Sequence, residues 1–330
     1  MTEAPAAYDP KLDRIDPVTS IPFIATHLLV GLVFVTGVSW QLALLCLASY
    51  YIRMFFVTAG YHRYFSHRTF KTGRIFQFIM AFMAESSAQK GVLWWAAHHR
   101  HHHRYSDQAE DVHSPTRRGF WWSHIGWIVA RRYDKTNYDA VKDFARFPEL
   151  KWINEHFLVP PMLGLVIMYA IGGLPWVVWG GIVPTVLLWH GTFTINSLSH
   201  IFGKRRYLTT DTSRNNFLFA LITMGEGWHN NHHFHMSSVN QGWHWWQVDF
   251  TYYVLKALSW VGIVSDLRTV KPEVRDSHLA YTAEQQAELK RQEKERFGSR
   301  AAAPVRGPIQ TPESILATIM PSPQPAPAKL

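Results

Sequence analysis

Cysteine is nearly absent from this chain. Cys46 is the only one in 330 residues, and it lies in an apolar run. Internal disulfides and cysteine-based zinc or iron–sulfur sites are therefore excluded. Charge is missing from two long blocks: no Asp, Glu, Lys or Arg occurs from Pro17 to Ile52 or from Phe157 to Gly203. A soluble domain of this size has no use for such blocks, whereas a membrane span needs roughly 20 apolar residues. Residues 1–16 are polar and lack the basic region and small-residue cleavage site of a secretory signal. No Gly-x-Gly-x-x-Gly pattern is present, so a built-in dinucleotide module is not expected.

What is abundant is equally informative. There are 15 tryptophans and 19 histidines, with a formal charge of +9. Tryptophan excess suits membrane interfaces. Beside two apolar blocks, the basic balance points to lipid headgroups or an acidic partner, not to nucleic acid. Each block holds two spans, about 21–38 and 41–60, then 157–173 and 176–198, with turns near Gly37–Gln41 and Gly172–Pro175. Arg53 falls late in the second span, where it is expected to snorkel to the interface. Three shorter apolar stretches, Ile75–Met83, Phe120–Ala130 and Val248–Val264, read as interfacial helices. With four spans, all 33 Lys and Arg lie on one side, counting Arg53 at its boundary, and the opposite hairpins carry none. The positive-inside rule makes that side the cytoplasm. The domain plan is a polar segment 1–16, a membrane domain 17–298 and an Ala/Pro-rich tail 299–330 expected to be disordered. A charged helix is expected from Thr282 to Arg296, opened by Thr-x-x-Gln.

The histidines cluster. His98 to His103 reads HHRHHH; His99, His102 and His103 share one helical face at i, i+3 and i+4. His229, His232 and His233 repeat that spacing. His62 and His67 are five apart, about 140° around an ideal helix. They therefore either serve different metals or sit where the helix breaks. Asn196 and His200 are four apart at the end of the fourth span. These are nine imidazoles and one amide near one membrane face, a set for two metals. Imidazole alone does not choose among Fe, Zn, Cu and Ni. His98 and His101 fall between the spaced positions. Glu226, Asp107 and Asp111 are acids that could orient a ligand ring. His113 and His124 read as packing or support, while His27 and His190 fit no box.

The segments HRYFSH, HHRHHHRYSD, NSLSH and GEGWHNNHH resemble the histidine boxes of membrane-bound fatty acid desaturases, closest to the Δ9 acyl-CoA and acyl-lipid branch. DVHSPTRRGFWWSHIGW (111–127) and SDLR (265–268) extend the resemblance over about Gly60–Leu267. It implies an all-α integral-membrane protein, four transmembrane helices with a cytoplasmic helical cap around a His-rich dimetal centre. It implies two Fe ions, O2 as co-substrate, and a cis double bond placed in a saturated C16–C18 acyl-CoA or acyl-lipid. Carried over by position, the ligands are His62, His67, His99, His102, His103, His200, His229, His232 and His233, with Asn196 acting through water. Trp95 and Thr192 match positions at the bend of the substrate tunnel; Tyr50 and Met54 match positions near its far end. His98 stands where acyl-CoA enzymes carry an acid, which bears on the headgroup. Arg117, Arg118, Lys204, Arg205 and Arg206 are placed to contact a headgroup or an electron donor. No His-Pro-Gly-Gly segment for a fused cytochrome b5 is present. Electrons are thus expected from a separate cytochrome b5, ferredoxin or similar protein and its reductase. The layout suggests a bacterial inner membrane. Two other readings are a membrane hydroxylase or ketolase with similar boxes, and a non-enzymatic metal-binding or transport protein.

Overall fold

A computed structural model describes residues 13–277 and Arg291. The expected helix at 282–296 and the tail fall outside the described residues, apart from Arg291. Most of the described chain is helical, and one two-stranded ribbon pairs Lys71–Thr72 with Val264–Ser265.

Helix α1, Pro17–Leu29, starts where Asp16 accepts a hydrogen bond from the Val18 amide and Pro17 presets the first turn. Short helical stretches continue it to Thr36. Gly37 then takes a φ of +67°, a conformation that favours glycine, and stops the helix. Ser39 caps α2, Trp40–Phe56, by accepting from the Leu42 amide. Helix α2 widens directly into a π-helical segment, Val57–Ser66. Helices α3, Arg74–Glu85, and α4, Val92–Tyr105, follow. The start of α4 is fixed from outside: Asn154 Oδ1 accepts from the Leu93 and Trp94 amides, and Glu85 Oε1 from Val92. A Cβ on Gly91 would lie 2.3 Å from that Asn154 oxygen, so no larger residue fits there.

The second apolar block forms α5, Val159–Trp176, a π-helical segment Val177–Ile182, and α6, Val183–Ser197, which ends in a tight turn to His200. Gly172 and Gly173 leave helical geometry, Gly173 at φ +62°, and fold the run back on itself. The two arms touch closely: a Cβ on Gly181 would meet Leu165, and one on Gly180 would meet Met168. Trp40–Ser66 and Val159–His200 are long and apolar enough to cross a membrane, and Ser20–Thr36 is a shorter apolar helix. Their outer faces are bare hydrocarbon, with Leu28, Phe34, Val166 and Ile171 all exposed. Exposed apolar surface on this scale marks contact with something other than water.

Two expectations change. Arg53 does not snorkel. It is buried, and its guanidinium donates to the carbonyls of Ser49, Ser86 and Gly181 and to the Thr185 hydroxyl. Those oxygens replace the water the cation would otherwise have to reach. Residues 120–130 do not make one continuous helix. A π-helical turn, Trp122–Gly126, holds Ser123 and His124 inward against α6, and the chain turns away after it. The other two stretches are helical, as α3 and as α8, Phe250–Trp260.

Candidate metal centre and substrate cavity

The histidines come from the inner ends of the long helices. His62 and His67 lie at the end of the α2 run. His99, His102 and His103 come from α4, His200 from the end of α6, and His229, His232 and His233 from α7, His229–Phe234. The five-residue spacing of His62 and His67 resolves in favour of one centre. The π-helical segment closes on a bond from the His67 amide to the His62 carbonyl at 3.3 Å, which turns residues five apart onto one face.

Two groups result. His62, His67, His99, His103 and His232 each offer a nitrogen within 4.8 Å of the others, and so do His102, His200, His229 and His233. In the first group the Nε2 atoms meet at 2.9 Å (His62–His232), 2.9 Å (His232–His103), 3.0 Å (His103–His99) and 2.8 Å (His99–His67). In the second, His200 and His229 meet Nε2 to Nε2 at 3.1 Å.

Carboxylates behind the rings fix the tautomers: Glu226 binds His62 Nδ1, Asp111 binds His102 Nδ1 at 2.9 Å, Asp107 binds His200 Nδ1 at 3.2 Å and Asp211 binds His233 Nδ1 at 2.5 Å. A neutral ring whose Nδ1–H is donated this way has only a lone pair at Nε2. In the four-histidine group three rings anchored this way, His102, His200 and His233, bring their ligand nitrogens within 4.8 Å of one another, an arrangement that a cation between them would satisfy. With metal–nitrogen bonds of about 2.1 Å, neighbouring corners of an octahedron are about 3.0 Å apart. His102 Nε2 and His233 Nε2 are also buried with no hydrogen-bond partner, as unfilled ligand atoms would be. The residues fit two metal ions.

Electrostatics agree. Burial, followed by the mutual repulsion of neighbouring rings, holds His67, His99, His103 and His232 well below the ordinary imidazole range and so neutral. His62 and Arg63 bring the Glu226 carboxyl down to about 2 despite its burial. Arg63, fully buried, is itself held between Glu226 and Asp249.

Asp211 was not flagged by the sequence; it lies 22 positions before His233 in a polar loop, and no spacing rule points to it. His113 stacks on His102 with ring centres 4.2 Å apart and joins His102 and Asp111 in a third ligand-type group. Its place in the segment 111–127, which extends the family resemblance, was the signal that pointed to a supporting role. His98 bonds the Trp94 carbonyl and His101 the Glu110 carbonyl, both outside the two groups that hold the nine histidines. His27, His190 and His124 form a separate line: Nε2 to Nε2 at 3.1 Å, then His190 Nδ1 to His124 Nε2 at 3.0 Å, ending on Ser197.

A cavity of about 910 Å³ reaches the metal-ligand region at His99, past Trp95, Thr192 and Asn196. Those four residues also line a smaller cavity of about 40 Å³, together with Met54, Val57 and Thr223. Thr192 Oγ1 accepts from Gln89 Nε2 at 3.1 Å. Tyr50 lines neither cavity; its hydroxyl donates to the Ile222 carbonyl at 2.7 Å. Of the basic residues singled out earlier, Arg118 is bound to Asp13, Arg117 to the Asp107 carbonyl, and Arg205 to the Thr209 and Asp211 carbonyls. Lys204 is exposed and Arg206 half-buried.

A family model described as fatty acid desaturase matches residues 38–259. The chain belongs to the fatty acid desaturase family. It is therefore an oxidoreductase acting on acyl-CoA or acyl-lipids. Among relatives of this desaturase, an acyl-CoA C20 Δ5-desaturase of Anemone leveillei is 35% identical over 247 residues, 74% of this chain and 78% of its own. An sn-1 stearoyl-lipid 9-desaturase of Synechocystis sp. is 36% identical, covering 68% and 70%. A chloroplastic palmitoyl-monogalactosyldiacylglycerol delta-7 desaturase of Arabidopsis thaliana is 32% identical, covering 69% and 62%.

Proposed function

We propose that this desaturase is a multi-pass membrane enzyme with two irons, which uses O2 to place a cis double bond, at Δ9, in a saturated C16–C18 acyl chain. The convergence of nine imidazoles beside a long apolar cavity carries the reading. His62, His67, His99, His103 and His232 would hold one iron. His102, His200, His229 and His233 would hold the other, with Asn196 completing it through water. Five nitrogens with edges near 3 Å suit a five- or six-coordinate ion better than tetrahedral zinc. Bound iron would supply O2 activation and the oxidising power to take hydrogen from an unactivated methylene, which no side chain provides.

The protein's own part is placement and exclusion of water. Trp95 and Thr192 would bend the chain beside His99, with Gln89 holding the Thr192 hydroxyl. Met54 would limit how far the methyl end runs past the bend, and Tyr50 would close the end behind it. Met54→Ala is expected to lengthen the preferred chain and Met54→Trp to shorten it; unchanged product lengths in both would remove Met54 from this role.

Four spans are supported by the backbone breaks at Gly37 and Gly172–Gly173, which lie at the ends of the long helices opposite the metal ligands. Together with the positive-inside distribution, this supports a cytoplasmic active site, and the plain layout of the chain suggests a bacterial inner membrane. Two electrons per turnover come from a separate cytochrome b5, ferredoxin or similar donor, which Lys204 and Arg206 are placed to meet. Expression in a desaturase-deficient bacterium, with mass spectrometry of the lipids, tests the proposal. A product two hydrogens lighter, lost in His102→Ala, is expected. A product one oxygen heavier would favour the hydroxylase alternative.

A further inference from the structure

We infer that the acyl chain enters sideways from the bilayer, through a gap between α1 and α5, and that the substrate is an acyl-lipid of the surrounding membrane rather than an acyl-CoA delivered from water. This rests on the desaturase reading above and goes on to choose between its two substrate classes.

The cavity is open on its flank. Leu29 of α1 and Leu163 and Ile167 of α5 line it, yet they are 44%, 45% and 48% exposed. The gap therefore lies on the bare apolar face, the face that hydrocarbon would cover. His99 lines the same cavity. Helix α1 is pinned at its middle to α6, not to α5. Phe23 stacks on Trp189 with ring centres 5.2 Å apart, and His27 meets His190 at 3.1 Å. The gap beside α5 is left clear. At Gly164, which lines it, an added Cβ would meet no atom within 4 Å.

Charge points the same way. A coenzyme A headgroup carries several phosphate charges and is best held by guanidinium or ammonium groups. Among the described residues, Arg53 and Lys90 are the only Lys or Arg lining the cavity. Arg53 is turned onto backbone carbonyls and Thr185, and Lys90 is bound to Asp134 at 2.7 Å. Three arginines near the N-terminal end of α1 are matched by the protein's own acids, Arg118 and Arg132 on Asp13 and Arg131 on Asp16, beside an exposed Arg14. A polyanion would have to displace those pairs, whereas an acyl chain from the bilayer only has to slide between α1 and α5.

The test uses membranes from cells expressing the full chain, supplied with reductant and O2. They receive either labelled stearoyl-CoA or vesicles of labelled distearoyl-phosphatidylglycerol fused with them. Unsaturated label is expected in intact phospholipid, with no unsaturated acyl-CoA formed ahead of it. Unsaturated acyl-CoA appearing while phospholipid chains stay saturated would overturn the inference but leave the desaturase reading standing. No oxygen-dependent product from either substrate, in iron-loaded protein, would remove both. Gly164→Phe should lower phospholipid desaturation at least about tenfold with iron content unchanged. Gly31→Phe, whose Cβ likewise meets nothing but lies off the cavity, should not. Full activity in Gly164→Phe would rule out entry at this gap.

Discussion

The two histidine groups reach the same end by different means. In the five-histidine group one ring of five, His62, has a carboxylate behind it. Its order comes from numbers and packing: five Nε2 atoms meet in an unbroken series of contacts of 2.8–3.0 Å. In the four-histidine group three rings of four, His102, His200 and His233, are anchored by Asp111, Asp107 and Asp211. The group with fewer ligands is thus the one whose ligands are individually oriented. Outer carboxylates fix the tautomer and raise the basicity of the ring they hold. A site short of one protein ligand gains most from that. Asn196 lines the smaller cavity together with His102 and His229 of this group and His62 and His99 of the other.

The largest effect should come from removing a ring outright. His103→Ala and His102→Ala, one from each group, should each cost at least one metal per chain and abolish product, read by metal analysis of the purified protein. The next effect separates the groups. Asp211→Asn should weaken metal retention about 10–100-fold, the range typical for lost outer partners. Glu226→Gln should weaken it less, because four other imidazoles remain in that group. Equal losses in a chelator competition would erase the distinction drawn here.

A smaller effect is expected from pH. His67, His99, His103, His229 and His232 are all held below the ordinary value of 6.5 by burial. The folded, metal-stripped protein therefore refuses protons that the unfolded chain accepts. Its stability should be full above about pH 6.5 and fall as the pH drops below it. Melting of the stripped protein in detergent reads this directly, and a midpoint that rises on acidification would contradict it. The smallest effect belongs to His101→Ala. His101 lies outside both groups and touches only the Glu110 carbonyl and the Tyr105 ring, so metal content and activity should stay at the wild-type level.

Much of this was legible beforehand because the signals were local and repeated. The H-x-x-H-H spacing at 99–103 and 229–233 needs only a helix to place rings on one face, and both segments are helical. The turns at Gly37 and Gly172–Gly173 were readable from composition. Less legible was anything set by distant partners. Nothing in the residues of 57–66 distinguishes a π-helical segment from an α-helix, so whether His62 and His67 serve one centre could not be decided. Arg53 looked like a cation on its way to water because the carbonyls that hold it come from Ser86 and Gly181, far away in the chain. Asp211 carries no motif at all; its role arises because its loop folds over His233.

The central claim is two metal centres built from imidazole, five rings in one and four in the other. Metal content and X-ray absorption of the purified wild-type protein test it most directly. Two irons per chain are expected, bound by nitrogen and oxygen with no sulfur neighbour. One metal per chain, or tetrahedral zinc in place of iron, would contradict it.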